Sequence, residues 1–239
     1  MKQIWIIAKR ELRSFFNSLM AYILLVAFLG FSGFFTWISG SDVFMVGQAS
    51  LQSFFGIAYW TLFFFIPGLT MGLLAEETRS GTIELLLTKP ISDWQVVAGK
   101  FLSSWILIAI ALVFTLPYYI TVSTLGDIDH GAVWAGYLGL LLMSGAYIGV
   151  GLFASSISKN QIVGFLLALL IGIFFHILFG ILAGTSSGLI GNILNYLSLS
   201  THFESISRGV IDSKDIIYFL SIIALGLFGA EYSLTRRKF

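Results

Sequence analysis

Six long apolar segments alternate with short polar stretches along the chain, a pattern that predicts an integral membrane protein. Each segment approaches or exceeds the roughly 20 residues that an α-helix needs to cross a hydrocarbon core about 30 Å thick. Because unpaired backbone amides are costly in lipid, the segments should be helices. We therefore predict an all-α fold with six transmembrane helices in a single transmembrane domain, residues 1–239. The predicted spans are Leu19–Trp37, Phe54–Ala75, Phe101–Ser123, Val133–Ser156, Gln161–Gly184 and Ile216–Thr235.

The basic residues lie on one side of this layout. Eleven of the 13 Lys and Arg residues precede the first span, follow the second or the sixth, or separate the fourth from the fifth. Only Arg208 and Lys214 fall in the opposite loops. Since basic loops are retained in the cytoplasm, we expect both termini to be cytoplasmic. With 57% hydrophobic and 10% charged residues, the chain leaves no room for a separate soluble domain, and the absence of cysteine excludes disulfides.

Shorter amphipathic stretches flank the first span. Residues 3–16 place Ile4, Ala8, Leu12 and Phe15 at helical spacing, with basic residues largely on the opposite side. This predicts either an interfacial helix with its apolar face toward the acyl chains, or a simple extension of the first span. The stretch 39–53 is polar and predicted to be partly helical.

The remaining outer loops differ in length. The short loop with Asp127, Asp129 and His130 is either a solvated turn or a weak metal site, and we predict no metal there. The segment Thr185–Lys214 carries an apolar face at Leu189–Leu197 that is too short to span, followed by a second amphipathic unit, HFESISRGVI. These predict one or two short outer helices or a shallow re-entrant element. The segment could shape an exit gate, dock an extracytoplasmic partner or plug the bundle.

The membrane interior is almost free of ionisable groups, which makes an ion-driven secondary transporter improbable. His176 is the one deep exception, and a neutral histidine bonded to a neighbouring helix is favoured over a functional one. Pro67 and Pro117 should kink or loosen their helices. Small residues at intervals of four should allow close helix packing or a subunit interface. The predicted packing residues are Gly68, Gly72, Gly145, Gly149, Gly172, His176 and Gly180.

The loop between the second and third spans is the longest and most charged on the basic side. Ser80 or Thr82 could cap a short helix, Thr82–Thr88, that Pro90 would stop. Ser92 and Gln95 have capping-box spacing, so a second helix can begin there and run into the third span. The short helix would display Ile83, Leu86 and Leu87, an apolar face suited to a groove in a soluble partner.

This loop resembles the signature of the ABC-2 class of ABC-transporter permeases, and the six-span layout, the N-terminal interfacial helix and the long last outer segment are also similar to that class. The resemblance covers the whole chain. It implies a bacterial inner-membrane permease in which the loop is a coupling helix for a separate cytoplasmic ATPase. The signature is carried by Glu77, Arg79, Gly81, Thr82, Glu84, Leu86, Leu87 and Pro90. These residues and Ile83 have the expected coupling role.

The resemblance also implies partners: two ATPase subunits, a second permease copy or sister subunit, and the lipid bilayer, with no nucleic acid. The chain has no Walker A motif, so we expect it not to be an enzyme, and ATP and magnesium should be bound by the ATPase. Its segments His202–Ile206 and Arg208–Asp212 are similar to the gliding-motility permease subunit (GldF type) and to the permease of nitrous-oxide reductase maturation; we favour the first. A motility scaffold that translocates no solute is the alternative from another class.

Overall fold

The computed structural model describes residues 2–39, 43–81 and 91–236, and every regular element in this part of the chain is helical. Six helices long and apolar enough to cross a membrane confirm the predicted architecture. They are Leu19–Trp37, Gln52–Arg79, Asp93–Leu125, His130–Ile157, Gln161–Thr185 and Ser213–Arg236, called the first to sixth spans. The α-helices are α1 Lys2–Asn17, α2 Leu19–Trp37, α3 Val43–Val46, α4 Gln52–Thr70, α5 Ala75–Arg79, α6 Asp93–Val113, α7 Leu116–Leu125, α8 His130–Ile157, α9 Gln161–Ile173, α10 Phe179–Thr185, α11 Gly188–Leu197, α12 Leu199–Ser207 and α13 Ser213–Arg236.

The third span begins earlier than its apolar run, because a capping box starts the helix. Ser92 Oγ accepts from the Gln95 backbone N–H, and Gln95 Oε1 accepts from the Ser92 N–H, at 3.3 and 3.2 Å. The predicted capping box is therefore confirmed. The helix that begins at this capping box continues without a break into the apolar run. The third span therefore has about two additional polar turns at the basic end of the bundle.

Two spans are interrupted near their prolines. The third span breaks at residues 114–115, and Pro117 lies in the first turn of α7, where its missing N–H costs little. Pro67 lies inside α4, which ends three residues later before a turn at residues 71–74. Both interruptions agree with the predicted loosening, and the second separates α5 from the rest of the second span.

The fourth span, α8, is the centre of the bundle. It packs against the second, third, fifth and sixth spans and is the most buried of the six. The sixth span approaches it most closely, because a Cβ on Gly226 would overlap the backbone of Gly149. A Cβ on Gly145 would lie 2.8 Å from the Ile223 side chain. Small residues thus allow the close backbone approach that helices use in lipid.

The N-terminal helix α1 forms as predicted, but its apolar face has a different neighbour. Ala8 and Phe15 are buried, and the helix packs along α6 of the third span. A Cβ on Gly99 would come within 2.7 Å of Ile7, so the two helices touch at this glycine. The expectation that this face meets the acyl chains is wrong, because the glycine-containing surface of the third span buries it instead. Trp5, on another side of α1, is exposed.

The long segment between the fifth and sixth spans folds into the two short helices α11 and α12, as the amphipathic pattern predicted. Helix α11 exposes Leu189 and Ile190, whereas α12 buries Phe203 and Ile206 against the fourth span. In the loop between the third and fourth spans, Asp129 caps α8 by accepting from the Ala132 N–H. Among the described residues, no cluster of three His, Cys, Asp or Glu side chains could hold a metal ion.

Candidate functional site

The predicted coupling loop leaves the bundle at its basic end, and the structure describes both of its flanks. We call residues 71–81 the near flank; it contains Glu77 and Arg79 on α5, and Gly81 just after the helix. We call residues 91–94, which lead into α6, the far flank. The other predicted coupling residues lie outside the described residues: Thr82, Ile83, Glu84, Leu86, Leu87 and Pro90. The geometry of the site is therefore the geometry of the two flanks.

The near flank starts at the turn between α4 and α5, where a side chain of the fourth span accepts hydrogen bonds from the backbone N–H groups at the start of α5. Ser155 Oγ accepts from the Leu74 and Ala75 N–H groups at 3.1 and 3.0 Å and donates to the Met71 carbonyl at 2.9 Å. Backbone N–H groups at the start of a helix have no partner within that helix. One buried hydroxyl thus fixes the direction in which α5 leaves the second span.

The near flank ends at Gly81. Ser80 is the C-cap of α5, and its hydroxyl donates back to the Glu76 carbonyl at 2.8 Å. Gly81 then has φ of +71°, in the left-handed region that favours glycine. This is the usual glycine position just after a helix C-cap, so Gly81 ends α5 and turns the chain into the loop.

A buried ion cluster fastens the near flank to two other elements. Lys100 on α6 is 1% exposed, and its Nζ lies 2.8 Å from Glu77 Oε1 on α5 and 3.4 Å from Glu11 Oε1 on α1. Arg10 also pairs with Glu11 and lies 3.8 Å from Glu77. Because a buried charge needs a partner, the lysine holds α1, α5 and α6 together. We call Arg10, Glu11, Glu77 and Lys100 the basic-end ion cluster.

The cluster changes the acidity of Glu11. Burial by itself would raise the pKa of this carboxyl, but the charges of Lys100 and Arg10 and their hydrogen bonds outweigh it. The pKa of Glu11 therefore lies below its ordinary value of 4.5. The carboxylate is ionised throughout the neutral range, as an ion cluster requires.

The other two charged residues of α5 have different surroundings. Glu76 Oε2 accepts from Gln161 Nε2 at 2.8 Å, which links α5 to the start of the fifth span. Arg79 is exposed and lies 3.2 Å from Glu76. An exposed pair of this kind contributes little to stability. Arg79 is thus the charged residue of the near flank that is most open to a partner.

The far flank is tied to the sixth span. Asp93, in the first turn of α6, is 7% exposed, and its Oδ2 accepts from Thr235 Oγ1 at 3.1 Å. About two turns earlier in the sixth span, Phe228 stacks on Trp94 at a centroid distance of 5.3 Å. The chain therefore re-enters the bundle beside the end of the sixth span.

The predicted packing residues lie on several surfaces. Gly172 faces Phe63 of the second span, where a Cβ would come within 2.9 Å of the ring. Gly180 faces serine hydroxyls before and within α12, and Gly72 faces a glutamine side chain of the fifth span. A Cβ on Gly68 would meet no atom within 4 Å. Gly68 therefore has room for a side chain, unlike the glycines at the crossing of the fourth and sixth spans.

His176 lies in a π-helical turn, Phe174–Leu178, within the fifth span. Its ring stacks on Tyr59 and Phe63 of the second span, with centroid distances of 4.0 and 4.3 Å. At these distances the Tyr59 and Phe63 rings cannot both stack on the same face of the imidazole, so the His176 ring lies between them. The Tyr147 hydroxyl of the fourth span hydrogen-bonds to its Nδ1. One ring thus joins the second, fourth and fifth spans, which is a packing role.

Sequence reasoning missed the residues that brace the loop. Lys100 is one of the basic residues between the predicted second and third spans, and the capping box at Ser92 places it inside the helix that becomes the third span. A lysine at the entrance of an apolar helix is a signal for a nearby carboxylate. Glu11 and Ser155 gave no comparable signal, because their partners are distant in the chain.

Together, six apolar helices and polar residues confined largely to their ends define a multi-pass membrane protein. Residues 38–235 match the family described as ABC-2 family transporter protein. Since the match covers most of the chain, the protein belongs to that family, and it is a membrane subunit of an ABC transporter that is not itself catalytic. No curated protein matches the chain.

Proposed function

We propose that the chain is the permease subunit of an ATP-driven transporter, and that a separate ATPase binds it at residues 82–90. The basic end would face the cytoplasm of a bacterium, with both termini inside and the protein in the inner membrane. ATP and magnesium would be bound by the ATPase alone. The proposal rests on the family, the charge distribution and the way both flanks of the loop are fastened.

The fastening of the flanks is the observation that carries the proposal. The near flank is fixed by Ser155 and by Lys100, and the far flank is fixed by a capping box and by Thr235. A loop that merely connects two spans does not need buried polar anchors on both sides. Anchored flanks can pass a displacement of the loop to the second, third and sixth spans as rigid elements.

The flanks also suggest separate tasks for the charged residues. Glu77 is engaged by Lys100 within the chain, so we assign it a positioning role instead of the ATPase contact expected from the sequence. Arg79 is exposed beside the loop and remains suited to contact a carboxylate of the ATPase. Glu84 stays a predicted contact, and Leu86 remains the proposed apolar anchor.

Within the family, we propose the gliding-motility type, with a second permease copy or a sister subunit as partner. Its support is the likeness of His202–Ile206 and Arg208–Asp212 to that subfamily. The permease of nitrous-oxide reductase maturation is similar in the same segment and remains the second candidate. The proteins that co-purify with the chain distinguish the two.

The test is affinity purification of the tagged protein from its native membrane in mild detergent. We expect a Walker-motif ATPase and a second permease to be recovered with the wild-type chain. Arg79→Glu should lower ATPase recovery at least about fivefold, because reversing an interfacial charge costs on the order of 1 kcal/mol or more. Leu86→Asp should abolish recovery. Lys159→Glu is the matched control, since Lys159 is exposed at the same end but outside the flanks.

Two results would contradict the proposal. Equal ATPase recovery with Arg79→Glu, Leu86→Asp and wild type would mean that the loop is not the docking element. Recovery of motility proteins with no ATPase would favour the scaffold alternative. In either case, a wild-type elution volume in size-exclusion chromatography shows that the variant is folded.

A further inference from the structure

The face of α1 that points away from the third span is basic. Lys9 and Arg13 are exposed there, and neither forms an ion pair within the described part of the chain. Arg10, by contrast, is engaged with Glu11 in the basic-end ion cluster. Glu11 is the single acidic residue of α1, and it lies beside Lys100. This face thus carries two positive charges that no carboxylate among the described residues offsets.

Two large apolar side chains are exposed beside these charges. Trp5 is 56% exposed and Ile6 is 64% exposed. At about 100° per residue, Trp5, Lys9 and Arg13 lie on successive turns of α1, and Ile6 lies within the same arc. All four side chains line one groove on the surface of the helix. We call these four residues the exposed face of α1.

Contacts with the third span place α1 at the level where that span becomes apolar. A Cβ on Gly99 would come within 2.7 Å of Ile7, and Lys100 pairs with Glu11. The apolar run of the third span begins at the next residue, Phe101. Helix α1 ends at residue 17, and the first span begins at residue 19. A face that points away from the bundle at this level points along the membrane plane, into the headgroup layer.

The chemistry of the exposed face fits an anionic phospholipid. Ammonium and guanidinium groups donate strong hydrogen bonds to phosphate oxygens. Tryptophan is enriched at membrane–water interfaces, where its ring meets apolar chains and its N–H meets polar groups. A soluble partner with an acidic surface matches the two charges equally well, but the level of α1 places this face beside lipid.

We propose that the exposed face of α1 binds the headgroup of an anionic phospholipid in the leaflet at the basic end. Lys9 and Arg13 bind the phosphate, and Trp5 and Ile6 contact the lipid where the headgroup meets the acyl chains. The apolar face of α1 takes no part, because the third span already covers it. The lipid is held by the same helix that the basic-end ion cluster fastens to the near flank. Binding at this face requires no ATPase, so it can be tested on the isolated chain.

Quenching of Trp5 fluorescence by brominated phospholipids tests this site. The purified full chain is placed in phosphatidylcholine nanodiscs that contain the same fraction of brominated phosphatidylglycerol, which is anionic, or of brominated phosphatidylcholine, which is zwitterionic. The chain has six tryptophans, and the quenching that disappears in Trp5→Phe belongs to Trp5. We expect the anionic lipid to be preferred at wild-type Trp5 by about 25-fold, because each basic residue near the surface contributes about fivefold.

The variants assign this preference to individual residues. Lys9→Gln and Arg13→Gln should each lower the preference for the anionic lipid about fivefold. Lys159→Gln is the matched control: it removes an exposed charge at the same end but outside α1, and should leave the preference unchanged. A wild-type elution volume in size-exclusion chromatography shows that each variant is folded.

Three outcomes would overturn the proposal. Equal quenching of Trp5 by the two lipids would mean that the face does not select an anionic headgroup. A wild-type preference in both Lys9→Gln and Arg13→Gln would place the anionic lipid elsewhere. Absence of quenching by either lipid would mean that lipid does not reach the face; lower ATPase recovery with the double variant Lys9→Gln, Arg13→Gln would then identify the face as a docking site for a soluble partner.

Discussion

Replacement of Lys100 by methionine tests the basic-end ion cluster directly. Methionine keeps most of the apolar length of the side chain and removes the ammonium group. Glu77 and Glu11 would then lose the partner at 2.8 and 3.4 Å, while Arg10 would remain near both carboxylates. We expect a folded but less stable protein in which α1 and α5 separate more easily from the third span.

The magnitude follows from the geometry of the cluster. At an effective dielectric constant of about 20, opposite charges attract by about 6 kcal/mol at 2.8 Å and about 5 kcal/mol at 3.4 Å. Desolvation of a lysine side chain only 2% exposed offsets much of this attraction, and removal of one partner typically costs about 3–5 kcal/mol. Since the two carboxylates keep 13% and 18% exposure, we expect the lower value, about 3 kcal/mol.

The assay is the melting temperature of the purified protein in detergent. For a chain of this size, about 3 kcal/mol corresponds to a decrease of roughly 6–12 °C. Lys159→Met removes an exposed charge from the same end and should change the melting temperature by less than about 2 °C. In a background carrying Glu11→Gln and Glu77→Gln, the loss caused by Lys100→Met should shrink by at least about 1.5 kcal/mol. A Lys100→Met loss that matches the Lys159→Met value, or that persists in this background, would refute the ion-cluster reasoning.

Two further predictions concern the same end of the protein. The folded-state pKa of Glu11 lies below its ordinary value of 4.5, so its contribution to the stability of the fold is present above pH 4.5 and is lost as the pH falls through the folded-state pKa. Glu11→Gln should therefore reduce the decrease of the melting temperature at acidic pH. An unchanged decrease would contradict the assignment. Ser155→Ala leaves two backbone N–H groups at the start of α5 without an acceptor and should cost about 2 kcal/mol. Ser156→Ala is its control, because the Ser156 hydroxyl donates to the Phe153 carbonyl of its own helix, its one hydrogen bond among the described residues. Equal melting temperatures of the two variants would count against the bracing role.

The six spans could be predicted because length and apolarity alone determine them. The ends of the spans were harder to predict, because local interactions such as helix caps decide whether polar residues there belong to the helix. The capping box predicted a helix that begins after Ser92, whereas the apolar run predicted a membrane span that begins at Phe101. Both positions belong to one helix, α6, whose first turns are polar and whose later turns are apolar. The position of α1 failed differently: an amphipathic helix has the same pattern whether lipid or protein covers its apolar face. The close contact between Gly99 and Ile7 shows that the third span covers the apolar face of α1.

The coupling role of the loop stays a prediction from the sequence, and the residues that anchor its flanks were not predicted. Glu77 and Lys100 are 23 positions apart on separate helices, and Glu11 reaches them only because α1 folds back along the third span. Ser155 becomes a helix cap through the crossing of the fourth span over the turn at residues 71–74. Such contacts depend on how the spans are arranged, and hydropathy contains no information about arrangement.

The anchors also determine which parts of the bundle can move together. Lys100 and the close contact at Gly99 make α1 and the third span one unit, and Ser18 caps the first span directly after α1. In the described part of the chain, the fifth span is joined to the near flank by a single side-chain hydrogen bond, from Gln161 to Glu76. If ATPase binding displaces residues 82–90, as proposed, the first, second, third, fourth and sixth spans would therefore be displaced relative to the fifth. The π-helical turn at His176, where the fifth span meets the second, is the position at which that relative motion must be accommodated.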